Sequence, residues 1–292
     1  MTDKKISQTL ADLALITITI FWGSTFILSK IVLKEIPLIT YLSIRLNIAA
    51  LMMTLFALRF RKEMSIRTLY HGVLLGVFLF LSYLFQMWGI QYTSASDAGF
   101  ITGLNVVLVP LFSILFFGDY PRVSSLIGVL FAISGLYFLS GGDFSAFSKG
   151  DWLVFICAVT VTFHVIYTGK FAVRNNIYLL TAIQLLVTGI LSLILLPFEH
   201  EQLPELNVNI LLLLIYLALF GTVYTFLMQT AMQRFTTATR TSLVFSLEPV
   251  FAALFAFMIA GETLTKTAWF GGFLIFCGML IAEIRWKNLF KR

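Results

Sequence analysis

Residues 238–260 read ATRTSLVFSLEPVFAALFAFMIA, an apolar run that carries a single carboxylate, Glu248, near its middle. A helix needs about 20 apolar residues to cross the hydrocarbon core of a bilayer. Residues 95–117, ASDAGFITGLNVVLVPLFSILFF, form a second run of the same length 143 positions earlier. The two runs predict two equivalent transmembrane helices within one chain.

The composition extends this prediction to all 292 residues. Hydrophobic residues make up 59% of the chain and charged residues 12%, and the mean hydropathy is +0.95. Soluble domains hold about 45–50% apolar and about 25% charged residues. A soluble protein this apolar would expose large hydrophobic patches and aggregate. The composition therefore argues against a soluble enzyme or a nucleic-acid-binding protein and predicts a chain embedded in the lipid bilayer.

Ten apolar segments, separated by charged residues, glycine, proline or asparagine, account for the chain. The predicted segments cover residues 12–33, 38–58, 71–91, 95–117, 123–140, 151–171, 177–197, 209–231, 238–260 and 267–285. Backbone polar groups in lipid must be satisfied internally, so each segment is predicted to be a helix. The alternating pattern of a membrane barrel is absent. The fold class that follows is an all-α integral membrane protein with ten transmembrane helices.

Basic residues assign an orientation to these segments. With the N-terminus in the cytoplasm, fifteen of the 20 lysines and arginines fall on the cytoplasmic side. The outside loops hold Lys34, Lys149 and Lys266, and Lys30 and Arg45 fall within segments. Cytoplasmic loops of membrane proteins carry an excess of Lys and Arg. We therefore predict a multi-pass protein of the cytoplasmic membrane with both termini in the cytoplasm. The net charge of +6 is then a topology signal rather than a nucleic-acid patch.

The offset of 143 residues also predicts an internal repeat. It aligns Gly118-Asp119 with Gly261-Glu262, and further glycines of the two halves coincide. Five segments in each half force the halves to face opposite ways, which is an inverted-topology repeat. We predict a first five-helix repeat over residues 11–143 and a second over residues 144–287. Transporters built in this way bind substrate near the midplane, between the repeats.

Glu248 is the clearest candidate for a functional residue. A charged side chain at the bilayer centre costs ~2.5–3.5 kcal/mol and usually marks an internal cavity or an ion path. Its repeat equivalent is Asn105, and Pro249 and Pro110 follow these two residues as predicted helix breaks. Interrupted helices at corresponding places in two halves indicate a binding site. The alternatives are a structural carboxylate that bonds a neighbouring helix, and prolines that membrane helices simply tolerate.

Polar side chains at helical spacing predict the walls of a substrate cavity. Spacings of three and four residues place side chains on one face of a helix. Close helix packing and interhelical hydrogen bonds are the alternative explanation of such stripes. The predicted cavity residues are Trp22, Thr25, Ser82, Gln86, Asn105, His164, Tyr167, Thr225, Gln229 and Glu248.

Three further charged residues have weaker assignments. Arg45 lies inside the second segment, and we favour pairing with a carboxylate or snorkelling to the outer interface over binding of an anionic substrate. Asp119 and Glu262 occupy equivalent loops at opposite membrane faces, where we expect them to fix helix ends.

Five short stretches carry a resemblance to a known family. They are Phe21-Trp22-Gly23-Ser24-Thr25-Phe26, Tyr92-Thr93-Ser94-Ala95, Gly150-Asp151, Leu247-Glu248-Pro249-Val250 and Gly261-Glu262-Thr263-Leu264. With them, the chain resembles an EamA-type member of the drug/metabolite transporter superfamily over essentially its whole length. The resemblance implies two tandem repeats and transport of amino acids, their derivatives, drugs or other metabolites, with export favoured. Asp119 departs from the glutamate that is more usual there.

The predicted function is secondary active transport of a small organic metabolite by alternating access, with an amino acid or derivative favoured and with proton or exchange coupling. A lipid-linked or nucleotide-sugar translocator on the same fold is the alternative, and a sensor or scaffold without flux is another. A membrane-embedded enzyme is remote, because the sequence contains no HExxH or GxSxG motif. We predict no catalytic residue, no metal and no cofactor, since GxxxxGK[ST] is absent and the two cysteines lack zinc-site spacing.

Overall fold

The computed structural model describes residues 7–139, 148–199, 207–261 and 265–283, and these ranges contain helices and no strands. The helices are α1 (Gln8–Val32), α2 (Leu38–Ala57), α3 (Ile66–Gly89), α4a (Ala95–Gly103), α4b (Asn105–Phe117), α5 (Val123–Leu139), α6 (Lys149–Ala172), α7 (Ile177–Leu195), α8a (Val208–Ala218), α8b (Thr225–Met232), α9a (Ala238–Phe245), α9b (Glu248–Ala260) and α10 (Lys266–Glu283). A π-helical turn, Leu219–Tyr224, joins α8a to α8b. Short 3-10 helices, Leu58–Glu63 and Leu196–Phe198, follow α2 and α7.

These helices form ten membrane spans in two halves of five, which confirms the predicted fold class. Within the described ranges, eight spans are long and apolar enough to cross a bilayer, and α5 and α10 are shorter apolar helices. The two shorter spans are the fifth helix of each half. Residue 140 of the fifth predicted segment, residues 284–285 of the tenth, Glu262 and the predicted repeat boundary at residue 143 lie outside the described residues.

Capping residues, rather than apolar content, set where some spans begin. Helix α3 starts at Ile66, five residues before the predicted segment, because the Ser65 hydroxyl accepts a hydrogen bond from the Thr68 N–H at 3.1 Å. Helix α6 starts after a capping box in which the Ser148 and Asp151 side chains each accept from the other residue's backbone N–H. Such caps satisfy N–H groups that have no partner within the helix.

A glycine crossing between α5 and α10 shows the twofold relation of the halves. A Cβ atom added to Gly128 would lie 2.6 Å from the carbonyl oxygen of Gly278, and one added to Gly135 would lie 2.6 Å from that of Gly271. The 143-residue offset aligns Gly128 with Gly271 and Gly135 with Gly278. The residue pair Gly128–Gly278 is therefore equivalent to the pair Gly271–Gly135. Only glycine allows two helix backbones to approach this closely.

Two spans are interrupted at repeat-equivalent places. Helix α4 breaks at Leu104, and helix α9 breaks at Ser246-Leu247. Both second halves end at a glycine in the left-handed conformation, Gly118 with φ of 64° and Gly261 with φ of 69°. In the packed bundle, α4a contacts α9b and α4b contacts α9a, so the two breaks lie between the repeats.

The prolines relate differently to the two breaks. Pro249 lies next to the break, in the first turn of α9b. Pro110 lies within α4b, which continues through it, and the break at Leu104 comes six residues earlier. A proline lacks an N–H and crowds the carbonyl four residues before it, so it distorts the preceding turn rather than its own position. There the chain tightens, with hydrogen bonds from the Leu104 N–H to Ile101 at 3.1 Å and from the Val107 N–H to Leu104 at 2.9 Å.

Candidate functional site: a cavity at the centre of the repeats

A cavity lies where the interrupted helices meet. Side chains from seven of the ten spans and from both repeats line it. The lining residues are Trp22, Thr25, Arg45, Leu79, Ser82, Tyr83, Gln86, Thr102, Asn105, Cys157, Val161, Phe226 and Glu248. Its open volume is about 50 Å³, whereas pockets that hold small molecules usually measure roughly 300–1,000 Å³. The cavity in this structure is therefore smaller than a typical small-molecule pocket.

Six of the ten predicted cavity residues line this space: Trp22, Thr25, Ser82, Gln86, Asn105 and Glu248. The stripe on α3 is continuous, because Leu79, Ser82, Tyr83 and Gln86 follow the i, i+3, i+4, i+7 pattern of one helical face. Sequence reasoning missed Tyr83, although this spacing contains the signal for it. It also missed Thr102, three residues before Asn105, and Cys157, four residues before Val161, although both have helical spacing to another cavity residue.

Two other predicted residues belong to a second polar layer, which we define as His164, Gln184, Gln229, Thr230 and Gln233. His164 Nε2 lies 2.8 Å from Gln184 Oε1, and Gln184 Nε2 donates to Thr230 Oγ1 at 3.3 Å. Gln229 Nε2 donates to Gln233 Oε1 at 3.0 Å. The layer joins α6, α7 and α8b on the side of the cavity toward the C-terminal ends of α6 and α8b. Its residues line no part of the central cavity.

The last two predicted residues make local contacts away from the cavity. Tyr167 stacks on Phe78 with ring centroids 5.8 Å apart and on Phe171 at 5.3 Å. Thr225 donates to the carbonyl of Thr222 at 3.2 Å, within its own helix. Neither side chain lines the cavity in this conformation.

Glu248 and Asn105 are the first residues of α9b and α4b, and both are buried against the cavity. Among the described residues, none donates a hydrogen bond to the Glu248 carboxylate or forms an ion pair with it. Asn105 Oδ1 is likewise buried without a hydrogen-bond partner. An unsatisfied buried polar atom costs about 1–3 kcal/mol, so such atoms usually serve a water, an ion or a ligand. The cavity thus presents two unused acceptors at the broken ends of two helices.

Arg45 is also fully buried, but unlike Glu248 it has hydrogen-bond partners. Its N–H groups donate to uncharged groups. Its Nη1 donates to the Tyr41 hydroxyl at 2.7 Å, Nη2 to the Gly221 carbonyl at 3.2 Å and Nε to Thr222 Oγ1 at 3.1 Å. Nη2 also donates to the Tyr83 hydroxyl at 3.3 Å. No carboxylate of the described residues lies within 4.0 Å of it. Arg45 therefore neither pairs with a carboxylate of the described residues nor snorkels to the outer interface, so the favoured prediction is wrong.

The π-helical turn provides the carbonyl that Arg45 uses. Within it, Thr222 Oγ1 donates to the carbonyl of Leu217, five residues earlier, at 3.0 Å. A Cβ atom at Gly221 would lie 2.7 Å from Thr25 and 3.0 Å from Arg45 Nη2, so the guanidinium needs a glycine there. Single π-helical turns are rare and frequently lie at functional sites.

A larger recess, which we call the vestibule, opens at the end of the bundle where α4b meets α5. Its volume is about 490 Å³, and it is lined by Ser113, Gly118, Asp119, Tyr120, Pro121, Arg122, Ser125, Ile166, Gly169, Lys170, Thr236, Thr237, Ala238, Thr239 and Arg240. Lys170 pairs with Asp119 at 2.7 Å near the surface. Arg240 pairs with Asp12 at 2.6 Å in the interior and ties α9a to α1. The vestibule shares no lining residue with the central cavity.

A third recess, of about 340 Å³, is apolar apart from Ser134. It lies between the break of α4 and helix α5, with Leu104 in its wall. None of its lining residues also lines the central cavity. The apolar recess and the central cavity are thus separate spaces in this conformation.

The chain is similar along its length to known membrane transporters. The model of the EamA-like transporter family matches residues 9–141 and 148–283. An uncharacterized transporter of Archaeoglobus fulgidus is 34% identical over 280 residues, which cover 96% of this chain and 88% of that protein. The uncharacterized inner membrane transporter YedA of Escherichia coli is 27% identical, over 92% of this chain and 89% of its own. A solved crystal structure with 19% identity superposes with a TM-score of 0.79 over 98% of this chain and 100% of that chain, which shows a shared fold.

Proposed function

Because this chain belongs to the EamA-like transporter family, we propose that it exports a small organic metabolite, an amino acid or derivative, by alternating access across the cytoplasmic membrane. The family and the relatives point to transport rather than to enzymatic catalysis.

The observation that carries the proposal is the pair of unused acceptors at the helix breaks. Glu248 and Asn105 face one cavity between inverted repeats, as expected of a substrate site in such transporters. A carboxylate and an amide oxygen suit the N–H donors of an ammonium group. The apolar walls, including Leu79, Val161 and Phe226, suit an aliphatic or aromatic side chain.

Alternating access is supported by the unequal recesses on the two sides of the second polar layer. The vestibule has a volume of about 490 Å³, while the central cavity has a volume of about 50 Å³. A carrier that admits solute from one side of the membrane at a time needs a barrier between the solution on the closed side and its binding site. The layer of His164, Gln184, Gln229, Thr230 and Gln233 suits that barrier, because polar groups released on opening find water as new partners.

Export is favoured by the predicted topology together with the family resemblance. In that topology the vestibule faces the cytoplasm, and Arg122 lies at its rim. A cytoplasmic solute would then meet the wider recess first. A lipid-linked solute would instead need a lateral opening from the lipid into the central cavity.

Counterflow in liposomes tests the proposal. Purified protein is reconstituted with a high internal concentration of one unlabelled amino acid, and uptake of the labelled compound is followed for a panel of amino acids and derivatives. We expect transient accumulation for at least one member and none in protein-free liposomes. The variant Glu35→Gln, which changes an exposed loop carboxylate, should behave as the wild type. No accumulation for any member would refute the proposed substrate class.

A further inference from the structure

We propose that Arg45, together with the hydroxyl of Tyr83, binds the carboxylate of the transported solute. This inference rests on the proposed function and adds to it the requirement for an anionic group on the solute. Glu248 and Asn105 would then hold the ammonium group of a zwitterion. Arg45, Tyr83, Glu248 and Asn105 all line the central cavity.

The first argument concerns charge. Arg45 is 1% exposed, and its hydrogen bonds go to hydroxyls and one carbonyl. Such groups satisfy the N–H donors but leave the positive charge of the guanidinium without a counter-charge. A buried charge is costly unless an opposite charge accompanies it. Within the described residues, Glu248 is more than 4.0 Å away, so the cavity itself is the place where an anion can stand beside Arg45.

The second argument concerns the contacts that a carboxylate can replace. The Nη1 contact with Tyr41 is short at 2.7 Å, but Nη1 to Ser29 measures 3.5 Å and Nη2 to Tyr83 measures 3.3 Å. Charge-assisted bonds from Arg to a carboxylate are about 2.7–2.9 Å and often use both nitrogens. Tyr83 lines the cavity, so its hydroxyl can give up Nη2 and donate to the incoming carboxylate instead.

The third argument compares the two repeats. The residue equivalent to Arg45 is Thr188, whose hydroxyl lies 2.6 Å from the Gln184 carbonyl of its own helix and 3.2 Å from the Gly76 carbonyl of α3, so it contacts α3 from α7. Arg45 makes the corresponding link from α2 to the π-helical turn through the Gly221 carbonyl. A small neutral side chain is thus sufficient for this contact in the second repeat. The charge and the length of Arg45 exceed what helix packing requires.

The experiment uses matched sets of solutes that share a side chain. Each set contains an amino acid, the amine that lacks the carboxylate and the acid that lacks the ammonium group. Suitable sets are leucine with isoamylamine and isocaproate, and phenylalanine with phenethylamine and hydrocinnamate. Each compound competes with the labelled amino acid in counterflow on the full-length protein. The wild type should accept the amino acid at least about 30-fold better than the amine, as expected for loss of a buried charge pair.

Arg45→Thr copies the second repeat and is expected to fold, while Arg45→Lys keeps the charge without the planar fork. In Arg45→Thr, competition by the amino acid should weaken by about 30-fold or more, while competition by the amine stays unchanged. Arg45→Lys should recover part of the preference. Tyr83→Phe should weaken the amino acid only, and Arg59→Gln, which alters an exposed arginine, should match the wild type. Monodispersity on size exclusion and the melting temperature monitor folding.

The outcomes separate this inference from the proposed function. Wild-type flux with equal competition by amino acid and amine would overturn the role of Arg45 and leave transport intact. Equal loss for amino acid and amine in a folded Arg45→Thr protein would assign Arg45 to helix packing and also overturn the inference. If no Arg45 variant folds, the preference of the wild type and the effect of Tyr83→Phe decide. Absence of any wild-type flux refutes the proposed function instead.

Discussion

At the scale of single residues, the centre of this protein combines two unlike solutions to burial. Among the described residues, the Glu248 carboxylate has no hydrogen-bond or ion-pair partner, and Arg45 has hydrogen-bond partners but no carboxylate within 4.0 Å. Either arrangement alone would oppose folding in a low-dielectric interior. The presence of both side chains in one small cavity is the feature that most distinguishes this site from ordinary helix packing.

We predict that Glu248→Gln separates the two roles open to this carboxylate. If Glu248 carries a proton, the glutamine keeps the shape, so exchange of solute for solute should persist while net flux driven by a pH gradient disappears. If Glu248 binds an ammonium group, both activities should fall together. Both fluxes are measured in the same liposomes, with Glu35→Gln as the control. Wild-type flux driven by pH in Glu248→Gln would leave only a structural role.

At the scale of helices, the ends of the helices and the places where they cross depend on a few specific contacts. The Glu199 carboxylate accepts from the N–H groups of Ile39 and Thr40 at 2.6 and 2.7 Å and from the Thr40 hydroxyl at 2.7 Å. It therefore caps the N-terminus of α2 from the end of the α7 segment. Pro37, at the cap position, provides no side-chain hydrogen bond of its own.

We expect Glu199→Ala to destabilise the protein by about 1–2 kcal/mol, because it removes a cap and a negative charge from the helix N-terminus. Thermal unfolding in detergent measures the loss as a lower melting temperature. Glu35→Ala removes an exposed carboxylate of the neighbouring loop and should leave the melting temperature unchanged. Equal melting temperatures for the two variants would contradict the capping role.

The glycine crossing gives a second prediction at this scale. Gly278→Ala places a Cβ atom 2.6 Å from the Gly128 carbonyl oxygen, so α5 and α10 must separate, at a cost of about 1–3 kcal/mol. Gly272→Ala on the same helix meets its nearest neighbour, Val250, at 3.4 Å, which is ordinary contact. The melting temperature should fall for Gly278→Ala and stay near the wild type for Gly272→Ala. The reverse order would refute the crossing.

The elements differ in how far sequence predicts them. Apolar length predicted the ten spans, and the offset of 143 residues predicted the equivalence of Asn105 and Glu248, which begin α4b and α9b, whereas the break predicted at Pro110 lies six residues earlier. The π-helical turn at Leu219–Tyr224 was not predictable, since its Gly221 contacts Arg45 on another helix, far away in the sequence. The inward direction of Arg45 was missed for the same reason.

At the scale of the whole molecule, orientation in the membrane is a separate prediction. In a chain whose Cys157 and Cys277 are replaced, a cysteine at position 34 should react with a membrane-impermeant thiol reagent added to intact cells, and a cysteine at position 62 should not. Both positions are exposed in the structure, so accessibility is set by the side of the membrane. The opposite labelling pattern would invert the topology and, with it, the cytoplasmic position of the vestibule.

The difference between Arg45 and Thr188 has a consequence for the energy of the transport cycle. In this conformation α3 lies tightly on α7, where Cβ atoms added to Gly72 and Gly76 would meet Ile183 and Val187 at 2.6 Å. The repeat-equivalent approach of α8 to α2 contains a guanidinium in place of a hydroxyl. With two identical inverted halves, the inward-facing and outward-facing states would have equal free energies. If the protein alternates as proposed, the difference between Arg45 and Thr188 would make the two states unequal in energy, so the unloaded carrier would rest on one side and solute binding would have to supply the difference.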